Sequence, residues 1–151
     1  MSRRLAREIV LQSLFQIDFT ACEAEYALNS SIAEHDEFIY LHETDEASDE
    51  LQAKKAAYLK AKEYAEDVLN GVLAHMEAID TKLSQYAVDW TVDRMPAADR
   101  NILRIAAYEM LFAKEKIAPG VAINEAVEIA KLYGSEEAPR FINGVLGKMV
   151  R

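Results

Sequence analysis

Cysteine, proline and glycine are scarce in this chain of 151 residues, and each shortage excludes a class of protein. The single cysteine, Cys22, cannot by itself form an internal disulfide or a multi-thiolate metal site, which fits a reducing compartment. Five glycines and three prolines are too few for collagen, low-complexity disorder or a loop-rich all-β scaffold. With 51% hydrophobic and 28% charged residues, the composition predicts a compact, mostly helical, soluble protein.

Long uncharged runs are also missing. The longest stretch without Asp, Glu, Lys or Arg has nine residues, as at 9–17, whereas a membrane span needs about 20 apolar residues. The arginines near the N-terminus are followed by Glu8, and no small-residue cleavage site follows them, so we expect no secretory signal. The sequence therefore predicts a cytoplasmic protein without a membrane partner.

Lysine and arginine are absent from residues 21–50, which carry ten acidic residues. The rest of the chain has 16 acidic and 17 basic residues, so the net charge of −9 comes from one segment. Because charges are screened over about 8 Å at physiological salt, this segment need not repel an anion bound elsewhere. The acidic balance therefore does not exclude nucleic acid.

The first segment, residues 3–19, has the pattern of a helix with two faces. One face is the predicted core stripe, formed by Ala6, Ile9, Val10, Ser13, Leu14 and Ile17. The other carries Arg4, Arg7, Leu11 and Phe15. Guanidinium groups bind phosphates and exposed aromatic rings stack on bases, so this face weakly indicates RNA binding. The alternative is that Leu11 and Phe15 pack inside the protein beside an ordinary solvated face.

Helical periodicity continues after the acidic segment, which we interpret as a variable connection with room for one short helix. Residues 51–79 predict one long or broken helix, in which Gly71 marks close helix packing. Three helices follow, over about 96–114, 121–133 and 139–150. Pro119-Gly120 predicts a turn, and Gly134 predicts a left-handed helix end. The expected fold is all-α, with six or seven helices in two subdomains, about 1–80 and 81–151.

Residues with the chemistry of an active site do not form a recognisable motif. His35, His42 and His75 lack metal-ligand spacing. The run GVLGK at 144–148 lacks the spacing of a phosphate-binding loop, so we interpret its two glycines as helix-packing residues. Asn124 and Asn143 lie inside predicted helices and are expected to form buried hydrogen bonds between helices. We therefore expect no enzyme, no metal and no cofactor.

Several longer motifs resemble the NusB family of transcription antitermination factors. They are DRNILRIAAYEML at 99–111, VAINEAVEIAK at 121–131, YG at 133–134 and FINGVL at 141–146. The opening RRLARE at 3–8, followed by QSLF at 12–15, is similar to that family's arginine-rich first helix. The resemblance implies an all-helical protein of two small subdomains without catalytic activity.

The resemblance also implies a function and a set of partners. Members of this family bind the single-stranded boxA element of ribosomal RNA leader transcripts together with NusE, the ribosomal protein S-ten. They act with other Nus factors in the RNA polymerase antitermination complex and support ribosomal RNA transcription. The family's RNA-binding positions match Arg3, Arg4, Arg7, Phe15, Glu137, Arg140 and Phe141. Its NusE-binding position matches Asp99, which alternatively only stabilises the dipole of its helix.

Three positions depart from the family pattern. Leu5 replaces a common basic residue, Phe15 lacks the hydroxyl of the tyrosine that also occurs there, and Ala138-Pro139 replaces a polar helix-capping residue. The sequence leaves open whether the protein is a monomer or a homodimer. The alternative function is a NusB-like protein-interaction module that binds NusE or another partner without RNA.

Overall fold

The computed structural model describes residues 3–35, 49–87 and 90–151, and all regular structure in these ranges is helical. The α-helices within these ranges are α1 (Arg3–Thr20), α2 (Ala24–Ala33), α3 (Asp49–Ala74), α4 (Met76–Tyr86), α5 (Ala97–Ala107), α6 (Pro119–Tyr133) and α7 (Ala138–Met149). A short 3₁₀ turn, Val92–Arg94, precedes α5, and a π-helical turn, Tyr108–Phe112, continues it. The predicted all-α class is confirmed. No helix among these described residues is long and apolar enough to cross a membrane.

The chain divides into two compact units, Met1–Leu69 and Asn70–Arg151. The division falls inside α3, whereas the sequence pattern placed a subdivision near residue 80. The division lies within one continuous helix, whose apolar positions keep the same spacing on both sides of it. The spacing in the sequence therefore does not show where the division falls.

In the first unit, α1 packs on α2 along the predicted core stripe. Five of the six stripe residues are buried, and Ile17 is only partly so. Ser13 remains polar inside this core because its hydroxyl donates to the Ile9 carbonyl (2.8 Å) and lies 3.2 Å from the Ser31 hydroxyl. The predicted short helix in the acidic connection is α2, while residues 36–48 lie outside the described residues.

The predicted long or broken helix is broken at His75, between α3 and α4. Gly71 has the predicted packing role: a Cβ at this position would overlap the ring of Tyr108. The Tyr108 ring also lies 6.0 Å from the His75 ring, centroid to centroid. The glycine therefore lets the start of the π-helical turn approach the backbone of α3.

A buried polar network joins α4 to α5 in the second unit. The Arg104 guanidinium donates from Nε to Asp80 Oδ1 (2.8 Å) and from Nη2 to Asp80 Oδ2 (2.7 Å). Its Nη1 donates to Asn101 Oδ1 at 3.0 Å. Arg104 is 8% exposed and Asn101 is fully buried, so these bonds compensate for the desolvation of both side chains.

The predicted turn at Pro119-Gly120 and the predicted left-handed helix end at Gly134 are both wrong. Pro119 and Gly120 form the first turn of α6, where proline is favoured because its missing N–H has no intrahelical acceptor. Gly134 ends α6 with φ −88° and ψ 176°, which is extended rather than left-handed backbone. Glycine is required there by close approach, since an added Cβ would lie 2.6 Å from the Ala138 Cβ.

Two predictions about residues inside helices are also wrong. An added Cβ at Gly144 or Gly147 meets no atom of the described residues within 4 Å, so neither glycine marks close packing. Asn124 and Asn143 are exposed rather than buried. Helical position alone did not reveal which face each residue occupies, and the buried asparagine is Asn101.

Candidate nucleic-acid interface

The basic residues of α1 differ in exposure. Arg3 and Arg4, in the first turn, are exposed, whereas Arg7 is only 3% exposed. Leu11 is fully buried, so the alternative that Leu11 packs inside the protein is the correct one. The predicted second face of α1 is therefore solvent-accessible at its N-terminal end and buried at its centre.

Tyr64, on α3, organises two of these arginines within the first unit. The guanidinium carbon of Arg3 lies 4.5 Å from the centroid of the Tyr64 ring, and that of Arg7 lies 5.7 Å from it. These distances are within the range of cation–π attraction. The sequence did not single out Tyr64, because no local spacing connects it to residues some sixty positions earlier.

Glu8 follows the basic first turn of α1 and is partly exposed. Burial raises the pKa of the Glu8 carboxyl above its ordinary value, while the charges of His35 and Arg4 oppose this rise. His35 is itself anchored, with Nε2 3.0 Å from Gln12 Oε1. Glu8 therefore places a carboxyl group next to the arginines of the first turn.

Phe15 is partly exposed two turns after Arg7 and stacks on Phe19, with centroids 6.3 Å apart and the ring planes inclined by 5°. Phe19 is 77% exposed. The C-terminal half of α1 thus presents a pair of parallel aromatic rings, of which the sequence singled out only Phe15.

The second unit carries the other predicted RNA-binding residues at the start of α7. Glu137 and Arg140 are exposed, and Phe141 is partly exposed. Glu137 occupies the N-cap position without a side-chain cap, and α7 begins at the fully buried Ala138. The departure Ala138-Pro139 is thereby explained, since a small apolar residue fits the buried first position and proline is tolerated in the first turn.

Phe141 also contacts an aromatic residue that lies outside the sequence motifs. Its ring lies 6.4 Å from the ring of Trp90, centroid to centroid, with an interplanar angle of 64°. Trp90 is 48% exposed. It precedes the 3₁₀ turn in an irregular segment, where helical spacing gives no signal.

Asp99 lies in the first turn of α5, as predicted, but is only 3% exposed. The Ser135 hydroxyl donates to its Oδ2 at 3.3 Å, and its Oδ1 has no hydrogen-bond partner among the described residues. Burial raises the pKa of Asp99 above its ordinary value, and hydrogen bonding from Ser135 opposes the rise in part. Asp99 therefore connects the start of α5 to the turn between α6 and α7.

The structure brings the predicted residues together in two groups. Arg3, Arg4, Arg7 and Phe15 share α1 in the first unit, and Glu137, Arg140 and Phe141 share the start of α7 in the second. No group of three or more His, Cys, Asp or Glu side chains within 3–35, 49–87 and 90–151 could hold a metal ion. His42 lies outside those ranges.

Comparison with known proteins identifies the family. The NusB family profile matches residues 4–151. The transcription antitermination protein NusB of Desulfitobacterium hafniense is 43% identical over 99% of this chain and 88% of its own length. NusB of Heliobacterium modesticaldum is 41% identical over the whole chain, which spans 63% of that relative's length. NusB of Bacillus subtilis is 39% identical, covering 99% of this chain and 95% of that protein.

Solved structures agree with these sequence relatives. A structure of T. maritima NusB superposes with a TM-score of 0.74 at 35% identity, covering 99% of this chain and 90% of that one. A crystal structure of the antitermination factors NusB and NusE in complex with double-stranded RNA has a TM-score of 0.71 at 24% identity, covering 99% and 97%. This second likeness concerns the fold alone. From the profile match and the sequence relatives, the chain belongs to the NusB family.

Proposed function

We propose that this protein is a transcription antitermination factor that binds boxA RNA of ribosomal RNA leader transcripts together with NusE. In this proposal it acts in the cytoplasm, in the RNA polymerase antitermination complex with other Nus factors, and has no catalytic step. Family membership supports the proposal. The observation that supports it at the level of residues is that Arg3 and Arg4 are exposed on α1, the helix that also bears Phe15.

Arg3 and Arg4 supply phosphate contacts in this proposal. A guanidinium group can donate two parallel hydrogen bonds to a phosphate. Arg3 already lies over the Tyr64 ring, so less side-chain freedom is lost when it binds. Each phosphate neutralised on a single strand contributes about −0.7 to the slope of log affinity against log salt. Binding is therefore expected to weaken as salt rises.

The proposed roles of Arg7 and Phe15 in RNA binding follow from how exposed each side chain is. Arg7 is almost fully buried and shares Tyr64 with Arg3, so its contribution is to add positive charge and to order the neighbouring basic turn. Phe15 is partly exposed and offers a ring to an unstacked base. Bases without a pairing partner are the ones that aromatic side chains reach, which fits a single-stranded element.

The start of α7 provides a second group of proposed RNA contacts, within the second unit. Arg140 is exposed and suited to a phosphate, while the neighbouring Phe141 ring is suited to a base. Glu137 carries a negative charge and would repel phosphates, so its proposed partners are the amino groups of bases. The mixture of charges favours contacts with base edges at this position over contacts with the backbone alone.

Asp99 is proposed to support NusE binding. Its carboxylate is buried against Ser135, so it offers little surface and acts chiefly by fixing the first turn of α5. The exposed residues around that turn then provide the contact area. Because binding of RNA and NusE is coupled in this proposal, each partner must raise the affinity for the other by the same factor.

Replacing Phe15 with alanine tests the base contact. We expect Phe15→Ala to weaken boxA RNA binding about 5- to 150-fold, the range for loss of one base-stacking ring, with a nearly unchanged melting temperature. Tyr26→Ala is the matched control, because Tyr26 is a 66% exposed aromatic residue of the same unit that belongs to no proposed site. Equal affinity of the two variants, or a large loss of stability in Phe15→Ala alone, would remove Phe15 from the site.

The phosphate contacts require a separate test, measured as the salt dependence of binding. Arg3→Ala and Arg4→Ala are each expected to reduce the slope of log affinity against log salt by about 0.7. Lys60→Ala removes the same charge from an exposed position on α3 and should leave the slope unchanged. If all three variants changed the slope equally, the effect would come from net charge rather than from a phosphate site.

A further inference from the structure

Trp90 forms an aromatic pair with Phe141 inside the second unit. The two ring centroids are 6.4 Å apart and the planes are inclined by 64°, so the rings meet edge to face. This is a favoured geometry, since the positive edge of one ring meets the negative face of the other. The contact joins the segment before α5 to the first turns of α7.

The pair leaves a large part of the tryptophan uncovered. Trp90 is 48% exposed, although tryptophan is on average a highly buried residue. An edge-to-face contact occupies only one region of each ring, so the rest of the indole can accept a second planar group. Tryptophan offers a large rigid surface with few rotatable bonds, which keeps the entropic cost of binding low.

The residues near Trp90 in the chain and beside Phe141 on α7 indicate what kind of group fits. Arg140 directly precedes Phe141, and Arg94 follows Trp90 by four residues; both are exposed. Asp93 and Glu137 are exposed as well. Guanidinium groups next to open aromatic rings suit nucleotides, which combine a planar base with a phosphate. The two acids disfavour a ligand held by phosphate attraction alone and leave stacking as the main contribution.

We propose that Trp90 is a base-stacking residue of the RNA site, which holds an unpaired base beside the base contacted by Phe141. This inference rests on the proposed RNA-binding function and extends it to a residue for which neither the sequence motifs nor the family resemblance provides a role. Trp90 both contacts a base and positions the Phe141 ring. Its loss therefore affects RNA binding at two points.

The chain carries its own probe for this contact, because Trp90 is its one tryptophan. A short boxA RNA is titrated into the whole protein in the presence of NusE, with labelled RNA anisotropy and tryptophan emission followed in parallel. NusE must contribute no tryptophan, or its own emission must be subtracted in a separate titration. Trp90 emission is expected to fall along the same isotherm as the anisotropy rises, and bound RNA is expected to protect Trp90 from quenching by acrylamide.

Two variants separate stacking from folding. Trp90→Ala is expected to weaken RNA binding about 5- to 150-fold, while Trp90→Phe retains a ring and should recover most of the affinity. Leu132→Ala is the matched control, since Leu132 is a 68% exposed apolar residue of the same unit and should bind RNA like the unchanged protein. Circular dichroism melts of each variant report whether the fold is retained.

The outcomes distinguish this inference from the function on which it rests. If boxA RNA binds but Trp90 emission, acrylamide access and the affinity of Trp90→Ala all stay unchanged, the inference is wrong and the proposed function stands. If emission changes on adding NusE without RNA and does not change further with RNA, Trp90 belongs to a protein contact and the inference is again wrong. If no RNA binds with NusE present, both fail together.

Discussion

Gly134 lies at the junction of three helices, and adding a single methyl group there is a sharp test of the packing. Its φ of −88° is accessible to every residue, so Gly134→Ala creates no backbone strain. The new Cβ would instead lie 2.6 Å from the Ala138 Cβ and 2.9 Å from the Ala130 carbonyl oxygen. It would also lie 3.1 Å from Asp99 Oδ1. The first two atoms are fixed to helix backbone and cannot move away by rotating a side chain.

The expected free-energy change follows from two opposing effects. Overpacking of this kind costs about 1–3 kcal/mol, whereas replacing glycine restricts the unfolded chain and returns about 0.4–1 kcal/mol. The net destabilisation is therefore about 1–2 kcal/mol. A change of 1 kcal/mol shifts the melting temperature of a protein of this size by about 2–4 °C. Gly134→Ala should accordingly melt about 2–8 °C below the unchanged protein.

Thermal melts followed by circular dichroism or calorimetry measure the difference, with Gly147→Ala as the matched control. Gly147 lies inside α7, and an added Cβ there meets nothing within 4 Å among the described residues. Alanine is favoured over glycine in a helix interior by about 1 kcal/mol, so the control should melt higher. A Gly134→Ala protein as stable as the unchanged one would refute the close contact between the end of α6 and the start of α7.

Further predictions concern single side chains. Asp99→Asn should raise the melting temperature at pH 7, because the raised pKa of Asp99 means that its ionised form is disfavoured by burial. The advantage should vanish as the pH falls below about 4, where Asp99 is protonated in both the folded and unfolded states, and melts from pH 3 to 8 check this. Arg104→Ala leaves Asp80 without its buried partner and should cost about 3 kcal/mol in denaturant unfolding. Tyr64→Leu removes the cation–π contact with Arg3 and should weaken RNA binding about 2- to 5-fold by anisotropy.

The helices were predictable because apolar spacing reports directly on which face of a helix is buried. The stripe of α1 and the pattern of α3 carried enough turns for that period to be clear. The glycine and proline residues used to predict turns and helix ends were less informative. Gly134 does end a helix, as predicted, but it is required by close packing and not by a left-handed backbone. The sequence alone does not distinguish these two reasons for a glycine.

The candidate site was only partly predictable, for a different reason. The arginines and Phe15 are on one helix, so their spacing is visible in the sequence. Tyr64 and Trp90 reach the site residues through tertiary contacts, and nothing local connects either residue to its partner. The burial of Arg7 was likewise invisible, since a charged residue at that spacing is usually solvated.

The central claim is that this protein recognises boxA RNA together with NusE. Its most direct test is the fluorescence anisotropy of a labelled boxA RNA and of a scrambled RNA, each titrated with the protein with and without NusE at two salt concentrations. The account predicts preferential binding to boxA that weakens with salt and tightens with NusE. Equal affinity for both RNAs, or no binding even with NusE, would contradict it and leave a NusB-like fold used for protein contacts alone.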